Sequence, residues 1–189
     1  MPKWIREIIV AKIQKGESMQ GADLEEADLS YSNLKGADFR NANLKNAHFQ
    51  NANLSSADLR GANMENAFLF GANLQGSNIE GAVLTGANLQ DTNMEKTNLR
   101  NTDLSGLSLF GAQLDGANCQ GALLVRAKLK RASLVGANLK EADFSGAQLQ
   151  RANLRNANLT RAKLDGANLM NADLAGAQTE GTNLKNTVS

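Results

Sequence analysis

The sequence predicts an all-β solenoid, and three observations carry that prediction. First, from Ala22 onward a larger apolar residue stands at every position ending in 4 or 9 except Thr179, giving 33 consecutive units from Leu24 to Leu184 without an insertion; 25 of these centres are Leu. Second, a small residue precedes each centre by two places except at Leu107, and 26 of those 33 slots are Ala. Third, Gly or Asn recurs two places after the centre, as at Gly36, Gly61, Gly71, Asn46 and Asn51. Repetition at a fixed short period marks architectures in which each unit buries its apolar face only by stacking on the next.

A straight α-helix cannot use a period of five, because five residues at about 100° each leave successive Leu roughly 140° apart. A flat strand fails as well, since its side chains alternate and an odd spacing sends successive Leu to opposite faces. Both conflicts vanish if the chain turns a corner in every unit and each Leu points to a common axis. Gly and Asn suit such corners because they tolerate the dihedrals of tight turns. The small residue, two places before the centre, shares its inward direction. Spacing alone leaves three and four sides open.

Units such as Ala57-Asp58-Leu59-Arg60-Gly61 and Ala72-Asn73-Leu74-Gln75-Gly76 resemble the A(D/N)LXX motif of the pentapeptide-repeat family, over about nine tenths of the chain. The resemblance implies a right-handed quadrilateral parallel β-helix with four units per coil. The 33 units then form about eight coils which, at about 4.8 Å each, stack into a rod near 40 Å long. The resemblance also implies a non-catalytic role, and it brings an alternative, because some relatives mimic double-stranded DNA and bind DNA gyrase to give quinolone resistance.

Residues 1–18 break the period and are expected to form an N-terminal helical cap, with the repeat β-helix occupying 19–189. Pro2 suits a first helical turn, Trp4, Ile5, Ile8, Ile9 and Ile13 recur at helical spacing, and Gly16 stops the run. Their expected role is to seal the first coil. After Leu184 the sequence runs Lys-Asn-Thr-Val-Ser with no helical pattern; either Thr179, Thr182 and Thr187 make the last coil polar, or it pairs end to end with a second copy.

Composition narrows the function classes. The net charge of +1 and the 4% aromatic content give no nucleic-acid footprint. The single Cys119 excludes an intrachain disulfide, and its inward position makes it a small apolar filler. His48, the one histidine, lies outward with no Ser, Asp or second His spaced to join it. There is no CxxC, HExxH or Walker-type loop, so no catalytic residue, metal ligand or cofactor is expected. The apolar run Ile8–Ala11 is too short for a signal core or a membrane span, and a bacterial-type cytoplasmic location is the default.

The outer surface then carries the functional reading. With four sides, residues twenty apart stack in a column, placing Phe70, Gln90 and Phe110 in one outward row flanked by Phe68, with Val83 and Leu123 in a neighbouring column interrupted by Asp103. Exposed aromatics that serve no core mark contact surfaces, so these five residues are the candidate partner-binding patch. Beside them the small slots become Thr92, Thr97, Thr102 and then Leu107, which is too large for an Ala-sized position and is expected to push the wall outward. A second candidate is the basic run Arg126, Lys128, Lys130 and Arg131, with Arg151 one coil beyond. No aromatic residue interrupts that run, so a solvated face is expected. Residues 21–100 hold 6 basic and 10 acidic side chains, against 10 and 7 in 101–189, which disfavours an acidic DNA mimic. The expected function is a non-catalytic scaffold that binds a protein partner.

Overall fold

The computed structural model describes residues 3–188, with side chains from Arg6 onward. One helix, α1 (Lys3–Gln14), precedes a continuous run of five-residue units. The helix ends where the spacing predicts: Gly16 takes a positive φ of 78°, its N–H donates to Ile13 O (2.9 Å), and the Glu17 N–H donates to Lys12 O (3.0 Å), a Schellman closure.

Every unit from Asp23 to Val188 contributes one residue to a parallel bridge with the residue twenty positions before or after it, so the coil has four sides. The first side carries the ladder from Asp23 to Asn183, the second from Asp28 to Val188, the third from Asn33 to Asp173 and the fourth from Asp38 to Gln178. Apart from Leu84, each centre through Leu169 donates its N–H to the next coil, as Leu24 does to Asn43 O (2.8 Å), and, apart from Asp103 and Ser108, the residue before the centre from Asn43 onward donates to the coil behind, as Asn43 does to Ala22 O (2.9 Å). Asn or Asp at that preceding position also accepts the N–H two residues on, as in Gln75 N to Asn73 Oδ1 (3.0 Å), an Asx turn that folds the corner.

Eighteen non-glycine residues hold the corner with φ between 52° and 62°. Asn supplies many of them, as its tolerance of the left-handed region predicts, but Tyr31, Lys96, Arg126, Arg131 and Glu141 adopt the same conformation. The closed coil imposes it on whichever residue occupies the slot.

The core is one column. Centres from Leu24 to Leu169 are buried, and so are the alanines beside them from Ala27 to Ala167. Each fully buried Leu contributes about 1.5–3 kcal/mol, most of it offset by the entropy of ordering the chain. Ile9 and Ile13 of α1 join the same cluster at its N-terminal end. Ile8 does not: it is half exposed, because it lies on the flank of α1 turned away from Ile9 and Ile13. Trp4 and Ile5 lie outside the described side chains.

The fourth side carries a charged ladder. Asp38 accepts from Arg40 Nε and Nη2 (both 2.8 Å) and from Ser18 Oγ (2.6 Å), while Arg60 pairs with Asp58. The Arg40 guanidinium, then the Ser18 hydroxyl, holds the Asp38 carboxyl far below the usual carboxylate range, and Arg60 lowers Asp58 in the same direction. Their folded values lie below the unfolded value of about 3.9, so the stabilisation they provide is present above about pH 4 and is lost as pH falls through the folded values. These groups are open to solvent and the effect is modest. Urea midpoints followed by circular dichroism should stay level from pH 7 to 5 and fall below pH 4; an unchanged midpoint at pH 2.5 would remove these pairs from the account.

Candidate functional site

The small-slot anomaly has a structural consequence. Thr92, Thr97 and Thr102 are buried and point inward, the first two donating their hydroxyls to Leu89 O (2.7 Å) and Leu74 O (2.8 Å). Where Thr102 and Leu107 follow one another, the stacking of coils opens. The first-side ladder lacks a Val83–Asp103 bridge, and the N–H groups of Gly81, Leu84, Gly86, Asp103 and Ser108 have no backbone acceptor, although their counterparts in the coils before and after do. Ala82 is 7% exposed where most alanines in this slot show 0–1%. The break accompanies Thr102 and Leu107 in the small slot, and it spans the first side and its corner with the second.

The candidate patch lies on the two sides that meet at that corner. Phe68, Phe70, Val83, Phe110 and Leu123 are 36–47% exposed, Val83 and Leu123 on the first side and the three rings on the second. These side chains add little to the core, which is what distinguishes the cluster from the axial column. His48 lies one coil before Phe68 in the same ladder, and its ring stacks on Phe68 with centroids 4.6 Å apart. The imidazole thereby extends the aromatic row, a contact that depends on rotamers and is invisible in residue spacing.

The basic run lies on the same side. Phe68, Asn88, Ser108, Lys128 and Gln148 follow one another in a single ladder, and Lys130 shares the outward column of Phe70, Gln90 and Phe110. Arg131 reaches back over the Phe110 ring, its guanidinium carbon 5.9 Å from the centroid. Arg151 occupies the next corner down the same edge, and Arg126 sits at the edge shared with the first side. Although no aromatic interrupts the run in sequence, coil stacking brings Phe110 beside it.

At the far end, Leu184 and Val188 are half exposed on the last described coil, and Thr182 and Thr187 spend their hydroxyls on Leu159 O and Leu184 O. Cys119 is fully buried and its thiol is pushed up to about 12 by burial, which keeps it protonated at neutral pH. Among the described residues no three His, Cys, Asp or Glu side chains gather as a metal site.

The family model described as pentapeptide repeats matches in eight copies, over residues 18–46, 32–76, 69–106, 108–146 and 147–186. The chain belongs to the pentapeptide-repeat family. Among solved structures, this pentapeptide-repeat protein is 31% identical to HetL, a pentapeptide repeat protein involved in heterocyst differentiation regulation from the cyanobacterium Nostoc sp. strain PCC 7120; the match covers 95% of this chain and 94% of HetL, with a TM-score of 0.39. It is 25% identical to a trypsin-treated variant of QnrB1, a plasmid-mediated fluoroquinolone resistance protein, over 82% of this chain and 76% of that one, with a TM-score of 0.50. Rfr23 from the cyanobacterium Cyanothece 51142 is 27% identical over 69% and 90% of the two chains, with a TM-score of 0.32. No curated protein matches the sequence.

Proposed function

We propose that this pentapeptide-repeat protein is a non-catalytic interaction rod that engages a protein partner through the apolar patch on its first and second sides. One observation carries the reading: Phe68, Phe70, Val83, Phe110 and Leu123 are the exposed large apolar residues that cluster, and they cluster around the break in the ladder. A rod whose centres are filled by Leu has no interior left for a ligand, so specificity has to reside in its outer columns. In this reading residues 1–18 act as a cap through Ile9 and Ile13, residues 19–189 form a right-handed quadrilateral helix, and the protein works in the cytoplasm. Among the described residues no helix is long and apolar enough to cross a membrane. The half-exposed Leu184 and Val188 support end-to-end pairing as a second contact. The gyrase-binding alternative finds no support in the charge pattern, since the side bearing the rings becomes basic over its C-terminal half.

The test is capture from native lysate by the wild-type rod and by Phe70→Glu/Phe110→Glu. Loss of at least tenfold of a specifically enriched protein is expected. Equal capture by both baits would set the patch aside.

A further inference from the structure

The second side is divided along its length. Between residues 47 and 111 its outward positions hold His48, Phe68, Phe70 and Phe110 with amides and hydroxyls between them, and Asp91 is the one acidic residue there. Between 127 and 151 it holds Lys128, Lys130, Arg131 and Arg151 and no carboxylate. The two halves meet at the Arg131–Phe110 contact. The other sides do not repeat this: on the first, Asp143 pairs with Lys163 (3.4 Å), on the third Arg155 pairs with Asp173 (3.1 Å), and on the fourth Asp38, Arg40, Asp58 and Arg60 neutralise one another. Lys128, Lys130, Arg131 and Arg151 have no ion pair among the described residues, so their charge is available to a partner.

We infer that this side binds one extended acidic protein segment, with apolar side chains on the Phe68–Phe70–Phe110 row and carboxylates on Lys128, Lys130, Arg131 and Arg151. The inference rests on the interaction-rod reading and names the partner class for that same surface. Geometry sets the length. Coil 47–51 and coil 147–151 are five steps apart, about 24 Å at the interstrand spacing, which an extended chain of about seven residues spans. Charge complementarity favours carboxylates over a neutral peptide, and the unpaired cations fix which end of the segment is acidic. Single-stranded nucleic acid would also combine stacking with anionic contacts. The rings, however, precede the cations along the side instead of alternating with them, and a strand carries a phosphate at every base. That arrangement fits a segment whose apolar and acidic parts are separate.

A random dodecamer library displayed on phage is the probe, selected on the full-length rod and counter-selected on Lys128→Glu/Arg131→Glu and on Phe70→Glu/Phe110→Glu, with labelled 15-residue oligo(dT) measured in parallel by anisotropy. The expected result is enrichment of sequences combining Leu, Phe or Trp with at least two Asp or Glu, weakened tenfold or more by each double variant and by 0.5 M salt. Enriched apolar sequences without acidic residues, indifferent to the charge reversal, would overturn the acidic class and leave the interaction-rod reading intact. Tight oligo(dT) binding without an acidic peptide consensus would overturn the partner class in favour of nucleic acid. No enrichment over either variant overturns the inference, and the lysate capture experiment then decides separately whether a folded protein surface uses the patch.

Discussion

Phe49→Ala is expected to cost the rod about 3–5 kcal/mol, the range for deleting a fully buried ring. Phe49 is entirely buried and meets Phe39 edge to face, with centroids 6.4 Å apart and planes at 71°, a pairing that adds about 0.5–1.5 kcal/mol beyond area burial. The surroundings cannot close over the loss. The Phe49 N–H donates to Phe68 O (2.8 Å) in the next coil and the His48 N–H donates to Ala27 O (2.9 Å) in the coil behind, so backbone ladders hold the spacing on both sides of the cavity. Leu184→Ala removes a centre of the same kind that is half exposed, and about 1 kcal/mol or less is expected there. Urea denaturation followed by circular dichroism separates the two. A cost near 1 kcal/mol for both variants would contradict a single axial core.

The second large effect is expected in amide exchange at the ladder break. The N–H groups of Leu84, Gly86, Asp103 and Ser108 should exchange at least about 100-fold faster than those of Met64, Asn66, Val83 and Asn88, which occupy the same slots one coil away and are bonded at 2.8–3.0 Å. Thr102→Ala/Leu107→Ala restores Ala-sized slots and should slow those four amides tenfold or more, as each recovered backbone bond is worth roughly 0.5–1.5 kcal/mol net. Stability is the smaller readout, because the regained bonds are balanced against about 1.5–3 kcal/mol of lost Leu burial. Slow exchange at Leu84 and Asp103 in the unaltered protein would mean that the ladder is continuous in solution. Fast exchange that persists in the double variant would clear Thr102 and Leu107 as its cause.

Much of this was legible in residue order because the fold is built from one unit. A period of five, an Ala two places before each Leu and an outsized Leu107 are local facts, and they lead directly to an axial core, a small-residue wall and a place where that wall gives way. The corner conformation was legible at Asn46 and Gly36 but not at Arg131 or Lys96, whose own preferences oppose a positive φ; closure of the coil decides it, and no single residue encodes closure. Ile8 was misplaced for a related reason, since helical spacing defines a face broader than the strip that meets the first coil. The columns of Phe70 and Phe110 followed from counting by twenty. Their union with Lys128, Lys130 and Arg131 follows from the same count, yet the two groups read as separate because one was identified by ring type and the other by charge run. The His48–Phe68 stack and the reach of Arg131 over Phe110 depend on side-chain rotamers, for which the sequence holds no periodic signal.

The central claim is that function lies on the outer surface of the first and second sides of a filled rod. It is tested most directly by quantitative capture from native lysate on three baits of equal circular dichroism: the unaltered rod, Phe70→Glu/Phe110→Glu, and Asn118→Glu/Gln120→Glu, which places the same charge on the opposite fourth side. The account predicts a protein enriched by the first and third baits and reduced at least tenfold on the second. Equal recovery on all three, or loss on the third bait as great as on the second, would contradict it.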